Sequence, residues 1–129
     1  MRILDNLYWI NGMIYGTLGN AYAIRHNDSL TLIDCGMEYD WDSLYNALCS
    51  WGLEKLPIRN VLLTHGHRDH AGNAKRMQDQ GAKIYVNEGD AGQLRKGGLT
   101  PSAVACDHTY RQRHQPPSRR KDNLSRPLS

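Results

Sequence analysis

The sequence predicts an α/β protein built on a mixed sheet, followed by a basic, disordered C-terminal tail. Three observations lead there. Two apolar runs, Ala21–Arg25 and Leu30–Asp34, flank the turn-forming His26-Asn27-Asp28-Ser29, the pattern of an antiparallel hairpin. Further along, an apolar run, a polar loop, a helical stretch and a second apolar run follow one another. That is a βαβ unit, so this part of the sheet need not be purely antiparallel. Beyond Tyr110 only Leu124 and Leu128 are apolar. Such a segment cannot bury enough surface to offset the entropy lost on ordering. The expected division is therefore a folded part over residues 1–110 and a tail over 111–129.

Taken in order, Leu7–Ile10 is a short strand candidate, and the following "NGMIYG" reads as a strand or a turn. The hairpin comes next and Gly36 ends it. Asp40 is a suitable N-cap for a helix in which Trp41, Leu44, Tyr45, Leu48 and Trp51 recur at helical spacing before Gly52 stops it. The two tryptophans are expected to face the core. Pro57 marks the approach to Val61–Thr64, a short apolar run suited to a buried strand. After a histidine-rich loop, Ala71–Gln80 has helical composition and stops at Gly81. Residues 82–86, "AKIYV", read as another strand. A short helix is expected around Ala91–Lys96, ended by Gly97-Gly98. No internal repeat is present.

Composition narrows the function classes. The chain has 129 residues, 40% hydrophobic and 22% charged, ordinary for one globular domain. No apolar run approaches the ~20 residues that span a bilayer, and the N-terminus has no signal-peptide core. The expected address is the cytoplasm, with no membrane partner. Cys35, Cys49 and Cys106 have no paired or metal-like spacing, so they are expected to be free thiols. Six of the sixteen Lys/Arg lie beyond Tyr110 against a single acid, Asp122, so a mildly acidic body carries a basic tail. That tail has no aromatic residues interleaved with its cations, which argues against a nucleic-acid arm.

The chemistry concentrates in "VLLTHGHRDHAGN", residues 61–73. A strand end followed by a tight loop can aim alternate side chains the same way, so His65 and His67 can converge on one point. Gly66 is expected to let the backbone turn between them. Asp69 and His70 fall at the start of the next helix, where the helix dipole favours an ionised carboxylate. Imidazole nitrogen and carboxylate oxygen are the ligand set of Zn²⁺, with Fe or Mn as alternative occupants. The pairs face slightly different points, so the loop could serve two adjacent metals. In a chain with six histidines the pattern H-x-H-x-D-H arises by chance about once in a thousand.

The run "LLTHGHRDHAGN" resembles the T-H-x-H-x-D-H signature of the metallo-β-lactamase fold hydrolases. Thr64, His65, His67, Asp69 and His70 all match. "NAYAI" and "LTLIDCG" resemble the family's first hairpin, and Asp34 falls where the family often has an acidic residue behind the metal ligands. The likeness covers roughly residues 1–110. It implies the N-terminal half of the family's αβ/βα sandwich and a one- or two-zinc hydrolase. His65 and His67 would bind one metal, Asp69 and His70 the other. A metal-bound hydroxide would attack a small-molecule ester, thioester, lactam or phosphodiester, with Asp69 orienting it and handling its proton.

The family's later ligands, a histidine in a Pro-Gly-His-Thr-like loop, a bridging aspartate and a final histidine, have no matching context. His108 lacks the glycine-rich loop and His114 lies in the predicted tail. The chain is therefore expected to be a truncated domain offering part of the metal cage. Half of a sandwich leaves an apolar sheet face uncovered, which invites a homo-oligomer. The competing reading is a non-catalytic remnant that binds metal or a partner.

Overall fold

The computed structural model describes residues 1–105. Seven strands lie side by side in chain order: β1 (Arg2–Leu4), β2 (Leu7–Asn11), β3 (Ala21–Arg25), β4 (Leu30–Ile33), β5 (Ile58–Leu62), β6 (Lys83–Asn87) and β7 (Ser102–Val104). β1 to β4 are antiparallel, and β4 to β7 are parallel. The mixed sheet is as the sequence predicts. Parallel neighbours need crossovers, and the chain supplies α1 (Trp41–Ser50), then α2 (Arg68–Ala71) with α3 (Ala74–Asp79), then α4 (Glu88–Lys96). Each crossover steps to the next strand in the same direction. The right-handed rule therefore sets all of them on one face of the sheet.

That face holds the core. Leu44, Ala47 and Leu48 of α1, Ala74 and Met77 of α3, and Ala91 and Leu94 of α4 form one buried cluster. They pack on Ile10, Ala23, Leu32, Val61, Ile84 and Val86, which alternate along the strands as a pleated sheet requires. On the other face Thr31 is buried under its contact with His26 at 2.9 Å, while the row nearest the histidine loop stays partly exposed. Trp9, Tyr22, Ile33, Leu62 and Tyr85 stand there in register, each paired with the next across the sheet.

Several boundaries differ from expectation. The strand predicted at Val61–Thr64 lies earlier, at Ile58–Leu62, which leaves Thr64 in the loop with the histidines. The hairpin strand stops at Ile33, and Asp34 has φ 61°, a left-handed backbone that ends the ladder. The helix expected over Ala71–Gln80 is two pieces broken at Gly72-Asn73. "NGMIYG" contains a 3-10 turn, Met13–Tyr15. The last helix begins at Glu88, three residues before the expected Ala91, and strands β1 and β7 were not anticipated. Trp41 packs against the core as expected. Trp51 is 43% exposed and instead meets the Tyr8 ring at 5.7 Å. Asp40 precedes α1 without capping it, its carboxylate accepting the Met37 N–H at 3.3 Å. The expected disordered tail at 111–129, His108, His114 and Cys106 lie outside the described residues.

Candidate metal centre

The centre forms where β4 and β5 end side by side and their following loops cross. Asp34 terminates β4, and its left-handed backbone aims a carboxylate at the loop after β5. Oδ1 accepts the Thr64 N–H at 2.8 Å, and Oδ2 accepts the Thr64 hydroxyl at 2.7 Å and His70 Nδ1–H at 2.9 Å. Asp34 is 3% exposed, so these donors replace water for a buried charge.

This network fixes proton positions. A carboxylate only accepts, so the Thr64 hydroxyl proton goes to Asp34. Thr64 Oγ1 must then accept from His65 Nδ1, 3.0 Å away. In their neutral form both His65 and His70 therefore carry the proton on Nδ1, and Nε2 is the nitrogen left to bind a metal. His70 Nε2 lies 3.5 Å from Asp69 Oδ2. Ligand atoms of His65, Asp69 and His70 all lie within 4.8 Å of one another, a cluster able to coordinate a metal ion. Neutral imidazoles held through Nδ1 are how metal-ligating histidines are normally oriented.

The four motif residues are thus brought together differently from the sequence pairing. His65 groups with Asp69 and His70. Exposed His67 stands beside them, its ring edge-on to His65 with centroids 4.5 Å apart, against 4.1 Å between His65 and His70. Gly66 does not carry the turn as expected. Its φ is not positive, and an added Cβ would meet only ordinary contacts at 3.5–3.7 Å with Asp90 and Leu94. α2 has four residues, so the dipole acting on Asp69 is that of a single turn. Arg68, between the ligand candidates, pairs at 3.3 Å with Glu38, both largely exposed.

A second set of contacts clamps the loop, and sequence reasoning did not find it. Cys35 N–H donates to the His70 carbonyl at 2.7 Å and Gly72 N–H to the Gly36 carbonyl at 2.8 Å. The buried Asn73 amide donates to the carbonyls of Cys35 and Met37 at 2.8 and 2.7 Å. Gly72 is required by proximity, because a Cβ there would sit 2.6–2.7 Å from backbone atoms of Gly36, Met37 and Glu38. Gly19 presses on the far side, where a Cβ would collide with the Asp69 carbonyl oxygen. The sequence offers two faint signals, Gly72-Asn73 inside a helical pattern and Cys35-Gly36 at a strand end. Gly19 gives none. Burial pushes the Cys35 thiol up to about 12, so it stays a protonated packing group.

Comparison with known proteins agrees with this geometry. The family model described as "Metallo-beta-lactamase superfamily" matches residues 14–120. BJP-1, a subclass B3 metallo-beta-lactamase of Bradyrhizobium japonicum, superposes with TM-score 0.66 and 25% identity, over 83% of this chain and 43% of that one. A beta-lactamase from Chitinophaga pinensis gives 0.65 and 29%, over 82% and 43%. The uncharacterized protein YobT of Bacillus subtilis is 28% identical over 74 residues, 56% of this chain and 30% of YobT. The chain spans less than half the length of these proteins. Among the described residues no helix is long and apolar enough to cross a membrane.

Proposed function

The chain belongs to the metallo-β-lactamase superfamily, and on that premise we propose that it carries the metal-holding part of a zinc-dependent hydrolase acting on a small ester, thioester or lactam-type substrate. The observation that carries this reading is the Asp34–Thr64 network, which holds His65 and His70 with Nε2 free toward Asp69. A catalytic zinc needs three protein ligands, and His65, Asp69 and His70 supply that number, with His67 within reach to add a fourth or begin a second site.

When bound, zinc would lower the pKa of water and polarise a substrate carbonyl. The residues do the rest. Asp34 holds the His70 ring in place through Nδ1, and Thr64 does the same for His65. Asp69, with a side chain 39% exposed, is open to solvent and can take a proton from an incoming nucleophile as well as bind metal. The two solved structures reported above are named as lactamases, which supports amide- or ester-like substrates. Fe or Mn would suit the same donors.

The test is zinc per chain in the full 129-residue protein, compared with a His65→Ala, His70→Ala double variant, followed by hydrolysis assays on ester, thioester and lactam substrates. The proposal expects zinc in the parent, its loss in the variant, and zinc-dependent turnover. Zinc without turnover of any of these classes would leave a metal-binding module and refute the hydrolase reading of this chain.

A further inference from the structure

Away from the metal centre, a cleft of about 460 Å³ opens on the helix side of the sheet, where α1, the turn Leu53–Lys55 and the start of β5 meet. Small-molecule sites span roughly 300–1,000 Å³. The cleft shares no residue with the histidine loop, and β5 runs from it at Ile58 toward that loop. Leu48 and Leu53, buried members of the core, line its depth. Trp41 and Tyr45 line it from α1, with ring centroids 5.7 Å apart. Glu54 lines it as well, and its Oε1 is sealed from water with no hydrogen-bond partner. Among the described residues the other buried side-chain atom in that state is Asn73 Oδ1, inside the loop clamp.

We propose that this cleft binds a small organic ammonium ion with an apolar body, its N–H donating to Glu54 and its body lying on Trp41, Tyr45 and Leu48. A carboxylate oxygen withdrawn from water without a donor is destabilising. A ligand that donates to it therefore gains more than one that only replaces water at an exposed group. The terminal torsion of a glutamate is soft, so a turn of the carboxylate carries Oε1 toward the cleft its side chain already lines. The cations nearby have no such need. Lys55 is exposed and keeps its ammonium in water, and the exposed Arg76 lays its guanidinium over the Trp41 ring at 4.6 Å. An anion would replace solvation that these groups already have, and would meet Glu54 as a like charge. Tyr45, 41% exposed, adds an electron-rich ring face, which attracts a cation and not a carboxylate.

The test titrates phenethylammonium chloride into the metal-free, nitrogen-15-labelled full chain at pH 7, so its failure is separate from failure of the hydrolase reading. Saturating shifts centred on Trp41, Tyr45, Leu48 and residues 53–58 are expected. Phenylacetate, an anion with the same ring, should bind at least about tenfold more weakly, and so should phenethylammonium in Glu54→Gln. Shifts that do not saturate, shifts centred on the histidine loop, phenylacetate binding as tightly, or Glu54→Gln binding as the parent does would each overturn the proposal. Should Glu54→Gln lose the parent spectrum, Tyr45→Ala at the exposed ring takes its place. Weakening of at least about threefold is then expected, and unchanged affinity overturns the proposal.

Discussion

Replacing Asp34 by Asn is the most informative single perturbation of the centre. Asn tolerates the left-handed backbone at φ 61°, so the chain path survives. The amide oxygen must stay on the Thr64 N–H, because the opposite flip would set two donors against each other. An N–H group then stands where Oδ2 accepted from the Thr64 hydroxyl and His70 Nδ1 at 2.7 and 2.9 Å. His70 Nδ1 must now accept, moving its proton to Nε2. The Thr64 hydroxyl, no longer needed by Asp34, turns toward His65 Nδ1 and moves that proton to Nε2 as well. One substitution reverses both tautomers and puts N–H groups where the metal needs lone pairs.

Losing such support costs about 10–100-fold in metal affinity for one ligand, and two are affected here, so the expected loss is near about 100-fold. That is about 2.7 kcal/mol of binding free energy. Removing charge from a buried acceptor of three hydrogen bonds should also lower stability by about 2–3 kcal/mol. Zinc competition against a chromophoric chelator reads the affinity, and nitrogen-15 spectra of the metal-free imidazoles read the tautomers. A folded Asp34→Asn variant that binds zinc within threefold of the parent, with both protons still on Nδ1, would refute the reasoning.

Three further outcomes are expected. His67→Ala should weaken the first zinc equivalent less than His65→Ala in the same competition assay, because His67 stands outside the 4.8 Å group. Gly72→Ala forces a Cβ to within 2.6–2.7 Å of backbone and should cost about 1–3 kcal/mol by thermal or urea unfolding. A thiol reagent should label exposed Cys49 in the native protein and Cys35 only on unfolding. The Cys35 pKa is raised from 9.0 to about 12, so above pH 9 the unfolded chain releases a proton that the native chain keeps. Stability from this group is intact below pH 9 and should fall as pH rises from 9 toward 12, a slope that Cys35→Ala should lack.

Much of the fold was legible because it rests on local patterns. The hairpin turn at residues 26–29, the spacing from Trp41 to Leu48, and the apolar runs around the histidine loop are contiguous signals, and each produced its element. The misplacements have one cause. Val61–Thr64 and Ala71–Gln80 look uniform in sequence, yet contacts made across thirty residues or more shift them. Thr64 leaves the strand pattern to bond Asp34, and Gly72-Asn73 breaks a helix to bond residues 35–37. Strands β1 and β7, three residues each, are too short to carry a periodicity.

The sequence by itself supplied the donor types: imidazoles and a carboxylate crowded behind a strand are groups able to coordinate a metal ion. It also pointed, through its resemblance to the family, to the N-terminal half of the αβ/βα sandwich. Only the tertiary structure decided which donors lie together: ligand atoms of His65, Asp69 and His70 fall within 4.8 Å of one another, and His67 stands beside His65. Asp34, more than thirty positions before His65 and His70, orients His70 directly and His65 through Thr64. Ligand types are properties of side chains and can be read in one dimension. Tautomers and distances depend on which loops the sheet brings side by side, and that is set by folding.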